Sequence, residues 1–271
     1  MFSHRTLSLL VVAVFVVEKC SAITPAFINL LKKIDNKDAL TEDQKQNILN
    51  ARPNELEKVH LHRDCTAINR FKDMPSGLYV IQPKGSNPLV VYCHMEAKGD
   101  GWSVLQRISK SGSTSFKKGW SEYERTFGDL EHDHWLGNKY IHLITQQTHY
   151  QVKFVINSPT GEVEIDYASF NVEGANNKYR LRLGSPIGNS ETYDHLIADK
   201  NESSDNMMFS TEDSDNDTDK KRNCAREAEG GWWYSQCSSV QLNNHSIHWP
   251  GICNDCTSAT ILIKPSFENC K

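Results

Sequence analysis

Glu162-Val163-Glu164-Ile165-Asp166-Tyr167 alternates acidic with apolar residues more cleanly than any other stretch of the chain. Neighbouring side chains of a β-strand point to opposite faces, so the alternation predicts a strand with one buried and one exposed face. The pattern recurs over residues 150–156, 179–183 and 261–263. Strands with one solvent-exposed face belong mostly to antiparallel sheets. The sequence therefore predicts an antiparallel sheet with one face buried.

Helical signals are few and short in the same region. Asn138 is a good N-terminal capping residue, and the helix that it begins would carry Ile141 and Ile144 inward. Strands that outnumber short helices predict an α+β fold.

The N-terminus predicts the compartment of the protein. Arg5 precedes an apolar run over residues 7–17, and the small residues around Ala22 follow, which is the pattern of a secretory signal peptide. We predict cleavage after residue 22, and a secreted, extracellular protein. The apolar run is shorter than the roughly 20 residues that cross a bilayer, so we expect no membrane anchor.

Residues 23–61 are polar and contain one helix signal. Thr41 and Gln44 form a capping box that leads into Ile48 and Leu49, and Pro53 ends the pattern. The apolar residues do not keep a heptad register, so a coiled coil is not predicted. We interpret residues 23–61 as a linker whose helix forms transiently, 62–268 as the main domain, and 269–271 as a tail that contains Cys270.

The composition excludes several classes of function. The chain of 271 residues has a net charge of −4, so it lacks the strongly basic character of a nucleic-acid-binding protein. It contains no nucleophile elbow, no zinc-protease helix and no glycine-rich phosphate loop. We therefore expect neither a nucleic-acid partner nor enzymatic activity.

Several ordered blocks of the chain resemble the fibrinogen C-terminal domain family. They are residues 77–83 (GLYVIQP), 101–107 (GWSVLQR), 135–138 (WLGN), 179–184 (YRLRLG), 209–211 (FST), 223–225 (NCA) and 231–234 (GWWY), together with Phe116, Trp120, Tyr123 and 127–128 (FG). The resemblance implies a globular domain with a central twisted antiparallel sheet, few short helices and a loop-rich calcium-binding subdomain. Because the segment before the domain is short, the chain is most similar to the fibrinogen-like and angiopoietin-related branch.

Cysteines are the first residues to which the resemblance gives roles. It pairs Cys65 with Cys93 and Cys224 with Cys237. The remaining cysteines, without a standard place in the family, are Cys253, Cys256 and Cys270. A redox Cys-x-x-Cys, half a zinc site and an intermolecular bridge are alternatives for them. We favour one extra local disulfide, with the cysteine that is left over free to link two chains as a dimer.

An acidic run over residues 213–219 is the strongest metal motif. It places carboxylates on alternate residues, as Ca²⁺ with its oxygen ligands requires. It is not an EF-hand, because Thr218 and Cys224 stand at the glycine and glutamate positions. The resemblance assigns side-chain ligation to Asp215 and Asp217, and main-chain carbonyls near Asp219 and Lys221 or Arg222. A solvated acidic turn is the alternative, since residues 220–222 are basic.

The resemblance also implies a ligand pocket beside this loop, with a cis peptide bond between Gln236 and Cys237. Its residues would be Trp232, Trp233, Tyr234, Gln236 and Cys237. One wall is shorter than in the family pattern, because residues 242–244 pass almost directly to the next tryptophan-containing segment. The alternative is that the tryptophans fill the core.

Three sequons mark candidate N-glycosylation sites at Asn201, Asn216 and Asn244. Two functions remain open. The first is an extracellular ligand for a cell-surface receptor, or for another extracellular protein, in immune, metabolic or vascular signalling. The second is calcium-dependent, lectin-like recognition of acetylated glycans in innate immunity.

Overall fold

The computed structural model describes residues 34–41, 43–44, 61–70, 74–197 and 201–266. The chain forms two compact units, Met1–Trp102 and Ser103–Lys271. The predicted signal peptide, the helix through Ile48 and Leu49, and the tail with Cys270 lie outside the described residues.

The first unit is built around a hairpin and a short helix. Helix α1 (Cys65–Asn69) begins at Asp64, whose carboxylate accepts the Ala67 N–H at 2.8 Å. Strands β1 (Gly77–Ile81) and β2 (Leu89–Met95) pair antiparallel, and Cys65 forms a disulfide with Cys93 on β2. The helix and the hairpin are therefore joined covalently.

Part of the segment predicted as a linker packs into the first unit. The Asn36 side chain donates to the Val90 carbonyl at 2.7 Å and accepts the Val90 N–H at 2.9 Å. Leu40 is buried nearby in the chain. Thr41 and Gln44 exchange the two hydrogen bonds of the capping box, at 2.7 and 3.2 Å. These contacts hold residues 34–41, 43 and 44 in a defined conformation, where the sequence suggested only a transient helix.

The second unit contains the main sheet. The strands are β3 (Gly101–Ser109), β4 (Phe127–Gly128), β5 (His134–Trp135), β6 (Tyr150–Ser158), β7 (Gly161–Tyr167), β8 (Phe170–Val172), β9 (Leu181–Leu183) and β10 (Ser258–Pro265). In the main sheet, strands pair antiparallel in the order β3-β10-β6-β7. Strand β5 also pairs with β3, and β4 with β5, while β8 and β9 form a separate pair.

Strand β7 confirms the prediction made from its alternation. Ile165 and Tyr167 are fully buried, whereas Glu164 lies on the other face and pairs with Lys153 of β6 at 2.6 Å. Hydrophobic burial of alternate residues thus orients the strand, as expected for a sheet with one dry face.

Helices of the second unit are short, as predicted. They are α2 (Trp120–Tyr123), α3 (Asn138–Thr145) and α4 (Cys224–Glu227). Helix α3 begins at the predicted residue and buries Ile141 and Ile144 completely. Among the described residues, no helix has the length and apolar character needed to cross a membrane.

Candidate functional site

The acidic segment over residues 213–219 folds back on itself through its own carboxylates. Asp217 accepts the Asp219 N–H at 2.9 Å with one oxygen and the Cys224 N–H at 2.9 Å with the other. Asp215 accepts the Asp217 N–H at 3.3 Å. The loop is therefore ordered around Asp217, with Asp215 beside it.

Asp215 and Asp217 form a pair of neighbouring carboxylates. Burial raises the pKa of Asp217 to about 6, and the Asp215 carboxylate adds to this rise, while the Cys224 N–H opposes it. Two like charges this close disfavour each other's ionisation, and a hard divalent cation between them would remove that repulsion. These two residues fit the chemistry of a calcium ligand set.

Asp219 and Lys221 do not bring further side-chain ligands. The Asp219 carboxylate accepts the Lys221 N–H and the Arg222 guanidinium, both at 2.9 Å, and these contacts lower its pKa. The Asp219 side chain thus binds Arg222. Only its main-chain carbonyl then stays available for calcium, which is the role that the resemblance implies. Within the described part of the chain, no group of three or more His, Cys, Asp or Glu side chains is placed to hold a metal ion.

Asn216 holds the two carboxylates in position from between them. Its side-chain nitrogen donates to the carbonyl of Phe209 at 2.9 Å and to the carbonyl and hydroxyl of Ser214, both at 3.1 Å. Its main-chain N–H donates to the Ser210 hydroxyl at 3.0 Å. Asn216 therefore shapes the loop through these hydrogen bonds, and its glycosylation stays a prediction.

Asp213 has a structural role that the alternating carboxylates of residues 213–219 did not predict. Its carboxylate accepts the Trp120 N–H at 2.8 Å and the Thr211 hydroxyl at 2.7 Å. The Thr211 hydrogen bond is the main reason why the pKa of Asp213 is lowered. Asp213 therefore connects the loop to the start of α2. Its role is structural and differs from that of the Asp215 and Asp217 pair.

The structure brings the acidic loop and the predicted pocket segment together. Thr218 donates its N–H to the Ser235 carbonyl at 2.9 Å. The disulfide between Cys224 and Cys237 joins α4, which follows the loop, to the end of the pocket segment. The loop and the pocket segment, which the resemblance places side by side, thus form one assembly.

The aromatic residues of the predicted pocket are part of the core. Trp232, Trp233 and Tyr234 are 2%, 1% and 3% exposed. The Trp233 ring lies edge-on to Phe209 at 5.2 Å and to Trp232 at 5.1 Å, arrangements that stabilise aromatic clusters. Of the five predicted pocket residues, Gln236 is exposed and Cys237 is half-buried.

The polar atoms of these aromatic residues are satisfied internally. The Trp232 indole N–H donates to the Ser204 hydroxyl at 3.0 Å, and that of Trp233 donates to the Tyr179 carbonyl at 2.7 Å. The Tyr234 hydroxyl donates to the Gly230 carbonyl at 2.8 Å, and burial raises the pKa of Tyr234. With these bonds made inside the protein, the three side chains behave as core residues.

The prediction of a cis peptide bond before Cys237 is wrong. No cis peptide bond occurs in the residues that the structure describes, so the bond between Gln236 and Cys237 is trans. The turn is made instead by Cys237 itself, which has a φ of 60° in the left-handed region. Its disulfide to Cys224 holds the residue in this conformation.

Cys253 and Cys256 form a third disulfide. The loop that contains them precedes β10, and Cys256 is fully buried. Both ring nitrogens of His245 approach main-chain carbonyls, those of Ser109 and Thr114, at 2.9 Å. The extra local disulfide is therefore the alternative that the structure contains. His245, eight residues before Cys253 and a possible zinc ligand by residue type, is hydrogen-bonded to the main chain instead.

A cleft that the sequence did not indicate lies at the end of β3. Its volume is about 670 Å³, and Arg107, Asp129, His132 and Asp133 are among the residues that line it. Asp133 is 5% exposed and accepts the Ser109 hydroxyl at 3.0 Å. These residues come from segments that meet only in the folded chain, so no local motif marked them.

Comparison with known proteins identifies the architecture. Residues 61–261 match the family described as fibrinogen beta and gamma chains, C-terminal globular domain. A fibrinogen-like protein 1-like protein of Gallus gallus is 41% identical over 198 residues, covering 72% of this chain and 69% of that protein. Angiopoietin-4 of Bos taurus is 33% identical over 192 residues, covering 70% of this chain and 36% of that protein.

Solved structures show the same fold. The fibrinogen-like globe domain of human ANGPTL6 has a TM-score of 0.68 at 27% identity, covering 77% of this chain and 97% of that domain. A lamprey fibrin D-dimer, complexed with the peptide ligand Gly-His-Arg-Pro-amide, has a TM-score of 0.68 at 25% identity. It covers 83% of this chain and 82% of that chain.

Proposed function

Because the chain belongs to the fibrinogen C-terminal domain family, we propose that the protein is a secreted binding protein that acts as an extracellular ligand for a cell-surface receptor. Its similarity to a fibrinogen-like protein and to angiopoietin-4 supports an extracellular role without catalysis. The peptide held by the lamprey fibrin D-dimer supports a protein or peptide as the partner. The proposal includes a role of that receptor in immune, metabolic or vascular signalling.

The burial of Trp232, Trp233 and Tyr234 is the observation that carries this choice of partner. An aromatic ring can stack on a ligand only through an exposed face, and these three rings are at most 3% exposed. Lectin-like recognition of acetylated glycans at these residues is therefore disfavoured. A protein partner needs instead a surface of roughly 800 Å² on each side, which a folded domain offers without a deep pocket.

Calcium is the cofactor that we propose for the acidic loop. Asp215 and Asp217 would supply carboxylate oxygens, and Asp219 and Lys221 main-chain carbonyls. Bound calcium would add positive charge beside two neighbouring carboxylates and so stabilise the loop. Because Asp217 also binds the Cys224 N–H at 2.9 Å, the cation would act on the loop that the Cys224–Cys237 disulfide anchors.

Binding to an array of purified receptor ectodomains tests the proposed function. The secreted protein is applied in millimolar calcium, and the matched control is the same protein after reduction and alkylation, which removes the three disulfides. We expect saturable binding to at least one ectodomain, reduced at least about tenfold in the control, because the fold that presents the surface is lost. Binding confined to a parallel array of acetylated glycans would overturn the proposal.

A further inference from the structure

The cleft beside Asp133 is separate from the acidic loop and from the predicted pocket segment, because the residues that line it lie outside the range 213–237. We propose that this cleft binds the guanidinium group of an arginine side chain that a protein partner presents. The inference rests on the proposed function, since it names the chemical group by which the cleft recognises such a partner. All the residues that line the cleft belong to the second unit.

Two paired strands form the floor of the cleft. Arg107 and Ser109 of β3 lie opposite Thr260 and Ser258 of β10, and all four residues line the cleft. Residues two apart on a strand share a face, so these side chains belong to one face of the sheet. The floor is therefore fixed by main-chain pairing, which suits a preformed binding site.

Hydrogen bonds hold the rim of the cleft, residues 111–114, against its wall, residues 129–133. The Thr114 hydroxyl donates to the Asp133 carbonyl at 3.2 Å. Both ring nitrogens of His245 lie 2.9 Å from main-chain carbonyls at the two ends of the turn that carries the rim. The rim is therefore positioned before any ligand arrives.

Asp133 supplies a buried carboxylate that forms no ion pair within the described part of the chain. The residue is 5% exposed, and the Ser109 hydroxyl donates to its two carboxylate oxygens at 3.0 and 3.2 Å. A carboxylate has about four lone pairs to offer, whereas a hydroxyl supplies a single proton. Asp133 therefore keeps acceptor capacity for a donor that enters the cleft.

Gly112 on the rim leaves space for this carboxylate. A Cβ atom on residue 112 would collide with Oδ2 of Asp133. Both residues line the cleft. The Asp133 carboxylate thus lies against bare main chain, and a larger residue at position 112 would displace it.

Carboxylates outnumber cations along the cleft. Asp129, Glu131 and Asp133 line it together with one guanidinium, that of Arg107, which donates to the Glu131 carbonyl at 2.7 Å. His132 also lines the cleft, and its Nδ1 lies 3.0 Å from the Asp129 carboxylate. This balance of charge favours a cation over an anion in the cleft.

A guanidinium suits the cleft better than other cations do. It is planar and weakly hydrated, and its five N–H donors can meet a carboxylate and neighbouring hydroxyls at once. Hydroxyl groups surround the carboxylates, on the exposed rim at Ser111 and Ser113 and on the floor at Ser258 and Thr260. A metal ion is disfavoured, because no three His, Cys, Asp or Glu side chains of the described residues converge as a metal site requires.

Saturation-transfer NMR on the full secreted chain tests the site, with N-acetyl-arginine amide as the probe. The matched probe is N-acetyl-citrulline amide, which has nearly the same shape and no charge. Saturation of the protein passes only to a probe that binds it. We expect a signal at least about fivefold stronger for the arginine probe, because charge-assisted hydrogen bonds are the stronger ones. Equal signals for the two probes would overturn the proposal.

Variants locate the bound probe. Asp133→Asn removes the charge and keeps an oxygen that can accept the Ser109 hydroxyl, so it should reduce the arginine signal to the citrulline level. Glu162→Gln is the matched control, because it removes the same charge from an exposed position on β7, which β6 separates from β10. It should bind the probe as the wild type does. An undiminished signal in Asp133→Asn, or an equal loss in both variants, would contradict the assignment.

Thermal unfolding shows whether Asp133→Asn is folded. If it is not, Glu131→Gln takes its place, because the Glu131 side chain is half-buried on the wall and its main-chain carbonyl still accepts Arg107. Glu131→Gln should weaken the arginine signal at least about twofold, through the loss of one neighbouring charge. A wild-type signal in this variant would then overturn the proposal.

The array of receptor ectodomains separates this inference from the proposed function. Wild type, Asp133→Asn and Glu162→Gln are compared on an ectodomain that binds the wild type. Weaker binding of Asp133→Asn alone supports an arginine contact, whereas equal binding of all three refutes it and leaves the proposed function intact. If the arginine probe binds at Asp133 but no ectodomain binds, the proposed function fails and the guanidinium site stands.

Discussion

At the residue scale, His134 is a buried titratable group whose ionisation opposes folding. It lies on β5 with no exposed surface, and its Nδ1–H donates to the His132 carbonyl at 3.0 Å. Burial is the main cause that lowers the pKa of His134 to about 4. Since the unfolded chain binds this proton near pH 6.5, the unfolded state is favoured as the pH falls from about 6.5 towards 4.

We predict that acidification from pH 7 to pH 5 lowers the free energy of unfolding by about 2 kcal/mol, because His134 is protonated only in the unfolded chain over this range. His134→Asn keeps a donor near the position of Nδ1 and cannot be protonated in this range, so its melting temperature should fall less on acidification. The measurement is thermal unfolding across this pH range at constant calcium. Burial raises the pKa of Asp217, so its protonation stabilises the folded state on acidification, which is opposite in sign to the effect of His134. This contribution is the same in both proteins and therefore cancels in the comparison.

A second histidine provides the control for this prediction. His132 is close in the chain, and its side chain is 78% exposed. His132→Asn is therefore the matched control, because it replaces a neighbouring histidine without removing a buried side chain. Parallel curves for the wild type and His134→Asn would show that burial of His134 does not contribute to acid sensitivity.

At the element scale, the acidic loop is where a bound cation would act. A ligand that binds only the folded state stabilises it by about 2.7 kcal/mol at a hundredfold excess over its Kd. For a domain of this size, that corresponds to a rise of roughly 5 to 10 °C in the melting temperature. We predict a rise of this order when calcium replaces a chelator.

Two isosteric variants locate the effect within the loop. Asp215→Asn removes one of the neighbouring carboxylates and should abolish the calcium-dependent rise. Asp219→Asn should retain it, because the Asp219 side chain binds Arg222 and only its carbonyl is assigned to the metal. Differential scanning fluorimetry of the three proteins is sufficient. An undiminished rise in Asp215→Asn would place the cation elsewhere, and no rise in the wild type would remove calcium from the account.

Elements differ in how far local sequence predicts them. Strand β7 was predictable because alternate burial leaves a direct trace in its residues, and the inward face of α3 because Ile141 and Ile144 are spaced as on one face of a helix. The capping prediction was wrong, because Gly137 takes the N-cap position and no side chain caps the helix. Strands β4 and β5 have two residues each and leave no periodic signal. The position of β10 between β3 and β6 is a long-range pairing, which local periodicity cannot reveal.

At the scale of the whole molecule, the candidate site was predictable in its parts but not in its packing. The family motifs identified Cys224, Cys237 and the acidic loop, and the structure joins them. Whether Trp232 and Trp233 line a pocket or fill the core depends on Phe209, Tyr179 and other residues far away in the sequence. The cleft beside Asp133 was missed for the same reason, because its walls meet only after folding.

Our proposal that the protein recognises a protein partner through its surface requires that the aromatic residues of the predicted pocket belong to the core. Retention on immobilised N-acetylglucosamine in millimolar calcium tests this most directly, with a sugar-binding lectin as the positive control. We expect the protein to elute with the void volume, because Trp232, Trp233 and Tyr234 offer no face for a sugar. Calcium-dependent retention that free N-acetylglucosamine reverses would contradict it.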